Sequence, residues 1–206
     1  MAKKKETPKI SDPAADRIVA AARAHFFQHG FRSVTMEDLA REMGMSKKTL
    51  YIHFSGKREL LNSVIDQKFA AMALEMDAIS PKKPAEFSGA LEQMLQCIQK
   101  NTREITPTFL RDVERSDASL FERIKSRRRE LLGRTMLRIL RVGQKAGAVR
   151  DDLSTDLMVG ILLAAADGAV TPANVAASNV SPHEYMTCFV SIFLRGVMTV
   201  KGSTRS

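Results

Sequence analysis

Apolar residues recur every three or four positions from about residue 14 almost to the end of the chain, the period of helices that bury one face. Ile18, Val19, Ala22 and Phe26 form the first stripe, which Gly30 closes as a C-terminal cap. Thr35 opens a second helix: its hydroxyl can cap a backbone N–H, and Asp38 sits where a capping-box acid reaches back. Met36, Leu39, Ala40 and Met43 follow at helical spacing. Gly44 ends this helix, Met45 plugs the turn, and Ser46 caps a third helix in which Leu50 and Phe54 share one face.

Longer stripes follow. Leu61, Ile65, Phe69, Met72 and Met76 mark a helix that begins around Ser55, Gly56 and Lys57 and is stopped by Pro81 and Pro84. Phe87, Leu91, Met94, Leu95 and Ile98 mark the next. Residues 106–113, starting at Pro107, predict one or two turns, and residues 121–145 a long helix ended by Gly147. Ser154 caps an apolar helix through Leu157, Ile161 and Ala165 toward Pro172, and residues 182–200 predict the last helix. No alternating strand pattern, internal repeat or low-complexity tract interrupts this, so the expected fold class is all-α. Residues 1–13, polar and containing Pro8 and Pro13, predict a flexible basic tail.

Charge changes the picture. The 206 residues carry a net charge of +9, which points to an anionic partner. Residues 1–60 hold 12 Lys and Arg against 7 Asp and Glu, so the positive charge is denser in the part of the chain that contains the three short helices. An apolar share of 44% is enough for a real core. MAKKKE lacks the apolar run of a secretory leader, and GILLAAADGAV, interrupted by Asp167, is too short to span a bilayer. Cys97 and Cys188 match no metal or redox spacing, so a reducing cytoplasm is the expected location, with no membrane partner.

A capped helix, a tight turn at Gly44–Ser46 and a second helix with a basic outer face form a helix-turn-helix layout. The second helix can lie in the DNA major groove. Lys47 and Lys48 suit guanine O6 and N7, Thr49 suits base or phosphate, and Ile52 suits a thymine methyl. Tyr51 and His53 are expected on phosphate oxygens, and Thr35 and Lys57 stand at helix N-termini that favour a phosphate. A solvated charged face is the plainer reading of the lysine pair alone. The turn, the caps and the one-sided polarity favour DNA.

The segment GFRSVTMEDLAREMGMSKKTLYIHFSGKREL resembles the DNA-binding domain of the tetracycline-repressor (TetR) family of bacterial transcription regulators. The matching features are Gly30, Thr35, Leu39-Ala40, Gly44-Met45-Ser46, Thr49-Leu50-Tyr51, His53-Phe54, Lys57 and Leu60, and the resemblance covers residues 14–60. Many members have glycine where this chain has Lys48. The resemblance implies homodimerisation through the last two helices and a small-molecule pocket in the larger domain, residues 61–206. The apolar helices at 154–170 and 183–200 agree with a four-helix dimer interface through Ile161, Ala165, Phe189 and Phe193. A ligand among Met72, Met76, Met94, Ile98, Phe109, Phe121 and Ile124 would tilt the helix that starts at Ser55.

The expected function is therefore a transcriptional repressor that binds a palindromic DNA operator as a homodimer and is released by a small-molecule ligand. A DNA-bound scaffolding protein without ligand control is the alternative. Neither enzyme activity nor a cofactor is expected, because no catalytic constellation stands out. His25 and His29 have metal-binding spacing but no third ligand in sequence, so no metal is assigned. Asp167 on its apolar helix is read either as a paired residue at the dimer edge or as a polar anchor for the ligand. One of Arg127 or Arg128 must fall near the stripe of Ile124 and Leu131, and so near the pocket.

Overall fold

A computed structural model describes residues 12–199, so all but the last two positions of the expected tail lie outside the described residues. Those two start the first helix: the Asp12 carboxylate accepts from the Ala14 N–H at 3.0 Å, and Pro13 takes the first helical position, where its missing N–H costs nothing.

The described residues form ten α-helices in chain order: α1 Pro13–His29, α2 Met36–Glu42, α3 Lys47–His53, α4 Lys57–Ala78, α5 Phe87–Thr102, α6 Pro107–Ser116, α7 Ala118–Lys145, α8 Thr155–Ala169, α9 Pro172–Ala177 and α10 Pro182–Val197. A short 3-10 turn, Pro84–Glu86, leads into α5. Three elements depart from the sequence expectation. α6 runs to Ser116, beyond the one or two turns expected. α7 starts at Ala118 because the Asp117 side chain accepts from the Leu120 N–H at 3.0 Å and caps it. α9 was not expected; Thr171 caps it and Pro172 opens it rather than merely ending α8. Among the described residues no helix is long and apolar enough to cross a membrane.

Two apolar clusters organise the helices. The first joins Ile18, Phe26, Leu39 and Leu50 to Val64 and Ile65 of α4, Phe109 and Val113 of α6 and Leu120 of α7. The second surrounds Met76, Met94, Met136, Ile139 and Leu140 and takes in Met158, Val190 and Leu194. α7 is the central rod, packed against α4, α5, α6 and α8, while α10 lies on α5 and α8. A one-pair bridge between Val149 and Met198 ties the α7–α8 loop to the end of α10.

Candidate nucleic-acid interface and internal cavity

α3 has seven residues, too few to persist alone in water. Leu50 is the one fully buried side chain on it, and that burial stabilises its attachment by roughly 1.5–3 kcal/mol. Phe54, just past its end, is buried beside it. The Ser46 hydroxyl accepts from the Thr49 N–H at 3.0 Å and shares a hydrogen bond with Thr49 Oγ1 at 2.8 Å. The outer face is left free: Lys47, Lys48 and Thr49 are exposed, as is Tyr51, and Ile52 is 74% exposed. Lys47 meets Glu37 only at 3.6 Å, a loose surface pair that contributes little.

Three of the proposed phosphate contacts are engaged within the protein. Thr35 and Asp38 form a complete capping box, with the Thr35 hydroxyl donating to Asp38 Oδ2 at 2.6 Å. The Thr35 hydroxyl, then its backbone N–H, hold the Asp38 carboxyl below the usual carboxylate range. His53 Nδ1 lies 3.0 Å from Asp12 Oδ2, pinning α3 to the start of α1. Lys57 departs furthest from expectation: its ammonium donates to the carbonyls of Phe31 and Val34 at 2.8 Å each and sits 4.6 Å over the Phe31 ring. Burial pushes Lys57 down from the usual lysine range, with Asp112 opposing. It works here as a staple on the α1–α2 loop, whose free carbonyls need donors.

A cavity of about 120 Å³ lies where α1, α4, α5, α6, α7 and α10 converge. Its wall includes Met72, Ile98, Phe109, Phe121 and Ile124, which the sequence analysis grouped together. Met76 and Met94 are not on that wall; both point into the second apolar cluster and are fully buried there. Asp167 is also off the wall, because it turns to Arg129 Nη1 at 2.6 Å and Arg128 Nη2 at 3.6 Å. Arg128 is the arginine of the basic run that reaches the cavity, whereas Arg127 pairs with Asp66 outside it. Burial depresses the Arg128 guanidinium and Asp167 opposes that shift.

Sequence reasoning missed Lys68, Asn101 and Thr102, the other polar side chains of the wall. A lysine within the Ile65, Phe69, Met72 stripe was the available signal. Lys68 is 7% exposed and pairs with Glu104, which also binds Arg23 through both oxygens at 2.6 and 3.0 Å. Burial lowers the Lys68 ammonium against the pull of Glu104; it also works to raise the Glu104 carboxyl, but Arg23 and Lys68 outweigh it there.

The cavity touches the support of α3. Phe27, Ile65, Phe109 and Val113 line it and belong to the first apolar cluster as well. Polar ties reinforce the junction: Thr106 donates to the Phe27 carbonyl at 2.7 Å, the Arg32 N–H donates to Asp112 at 2.8 Å, and Arg58 donates to Asp117 at 2.6 Å. The Ser119 hydroxyl, the Leu120 N–H and Arg58 hold Asp117 at about 2.

The expected interface residues lie on α8 and α10, which are in contact. Ile161 is 52% exposed, Ala165 is exposed, and Phe189 and Phe193 are half-buried. Leu157 and Ile192 on the same two helices are exposed as well. His25 Nε2 lies 3.3 Å from Glu42, and its ring is 5.7 Å from that of His29. No group of three or more potential metal ligands occurs among the described residues.

Residues 18–64 match the family described as bacterial regulatory proteins, tetR family. The chain is similar to the HTH-type transcriptional repressor SCO4008 of Streptomyces coelicolor, 27% identical over 161 residues, which cover 77% of this chain and 80% of that protein. It is similar at 24% identity to the probable acrEF/envCD operon repressor of Escherichia coli, with 74% and 72% covered. Among solved structures, the SmeT–triclosan complex has a TM-score of 0.63 at 18% identity, covering 92% of this chain and 93% of that one.

Proposed function

We propose, because the chain belongs to the tetR family of bacterial regulatory proteins, that it is a ligand-released repressor that binds a palindromic operator as a homodimer. Residues 14–60 act as the reading head and residues 61–206 as the ligand-binding and dimerisation domain. Lys47, Lys48 and Ile52 read base edges, while Tyr51 and the backbone N–H groups at the start of α2 and α4 meet phosphates.

One observation carries the ligand half of the reading. Four side chains, Phe27, Ile65, Phe109 and Val113, serve both as cavity wall and as the core behind α3. A ligand that fills the cavity bears on all four, and close-packed interiors pass their displacements on. The SmeT–triclosan complex is a precedent for a small aromatic molecule in a protein of similar fold. Shifting α6 against α1 changes the separation of the two recognition helices across the dimer, which must match half-sites about 34–36 Å apart. The exposed apolar side chains of α8 and α10 support pairing of two copies into a four-helix interface.

Genome-wide mapping of bound DNA followed by footprinting tests this. Protected sites should carry two-fold symmetry with half-sites one helical turn apart. A ligand should weaken operator binding roughly 5–150-fold, and the operator should weaken ligand binding by the same factor. Sites without symmetry, or ligand affinity indifferent to operator, would count against the reading.

A further inference from the structure

We propose, resting on the ligand reading above, that the cavity selects a compact apolar acid: a body about the size of one aromatic ring bearing a single carboxylate. Size comes first. A dry protein cavity of about 150 Å³ admits benzene, so about 120 Å³ suits one ring or a short branched chain, with adjustment by flexible Met72 and Met186.

Charge decides the rest. Two clusters each set two cations against one carboxylate: Arg23 and Lys68 share Glu104, and Arg128 and Arg129 share Asp167. Each cluster carries one net positive charge, and Lys68 and Arg128 are their members on the cavity wall. The wall's other polar donors are committed, with Asn101 Nδ2 donating to the Cys97 carbonyl at 2.9 Å and Thr102 Oγ1 to the Ile98 carbonyl at 2.9 Å. Lys68 is bound to Glu104. Arg128 differs: Arg129 holds Asp167 at 2.6 Å, and Arg128 faces the same carboxylate only at 3.6 Å. Its planar fork has donors to spare for a second carboxylate, in a site where water competes poorly. A cation entering here would meet Arg128 and Lys68 with no lining carboxylate to offset them. The acids Glu114, Glu122 and Asp167 instead border an adjoining surface cleft formed by α6, α7 and the end of α8, on the other side of Phe121 and Val170.

Calorimetry on the full chain without DNA, with phenylacetate, phenylacetamide and phenethylamine, separates the possibilities, because the three differ mainly in charge. Phenylacetate should bind about ten-fold or more tighter than the amide, the gain of a hydrogen bond to a charged group. The amine should bind least. Arg128→Met should erase the preference for the acid while keeping the amide affinity. Arg128→Lys should retain the preference, which excludes loss of fold as the cause. Asp167→Asn should tighten phenylacetate several-fold by freeing Arg128, an effect that a merely structural role would not produce. Equal or tighter binding of the amide or amine overturns the proposal, as does failure of all three to bind at millimolar concentration. The same ligands titrated against operator complex read the regulatory step separately. Acid selectivity without operator release keeps the ligand class and defeats the ligand-released reading; operator release by the amine does the reverse.

Discussion

Gly30, at the end of α1, lies directly against Thr108 and Asp112 of α6, and Gly30→Ala tests that contact quantitatively. Its backbone has φ 84° and ψ 156°, a region nearly exclusive to glycine that costs other residues about 1–3 kcal/mol. A Cβ there would stand 2.7 Å from Asp112 Oδ2 and 2.8 Å from Thr108 Cγ2. Asp112 must then withdraw and release the Arg32 N–H, a charge-assisted bond at 2.8 Å. Discounted for its partial exposure, that loss is about 1 kcal/mol, so the total is about 2–4 kcal/mol. Urea unfolding followed by far-ultraviolet circular dichroism, at fixed protein concentration, measures it. Asp112→Ala alone should cost about 1 kcal/mol, and the double variant should cost about 1 kcal/mol less than the sum of the singles, since both remove the same bond. Strict additivity, or a Gly30→Ala variant as stable as the parent, would refute the proposed contact.

Lys57→Met should lower stability by about 1–3 kcal/mol and leave the salt dependence of DNA binding unchanged; a slope shallower by about one at unchanged stability would mean that the ammonium leaves its carbonyls for a phosphate. Asp117 is held at about 2 against an ordinary 3.8. Its folded value is the lower one, so its contribution is fully present above 3.8 and is lost as pH falls through 2. Asp117→Asn should therefore be destabilised at neutral pH and lose less stability than the parent across that acid window, as successive urea titrations would reveal. Ile161→Asp and Ile192→Asp should give monomers of unchanged helicity with badly weakened operator binding; light scattering that still finds the dimer mass would remove α8 and α10 as the interface.

What the sequence determined by itself is local. The Thr35–Asp38 capping box, the Ser46 cap and the glycine after α1 involve groups no more than a turn apart, so residue order settles them. Leu50 as the anchor of α3 follows from helical period, as do the two lysines left on the outer face. The length of α6 was illegible because Asp117 ends that helix and caps the next, and neither stripe includes it. The cavity was only half legible. Periodicity marks Met72, Met76, Met94 and Ile98 alike as inward-facing, but whether an inward side chain meets a neighbour or a void depends on how helices distant in sequence cross. The same holds for Lys57, whose carbonyl partners lie 23 and 26 residues away, and for Arg128, whose carboxylate lies on another helix. A charge on a helix face can be read from sequence. The group it faces is decided by packing, and that distinction turns a presumed phosphate contact into a loop staple and places Arg128, with its Asp167 partner, beside the cavity.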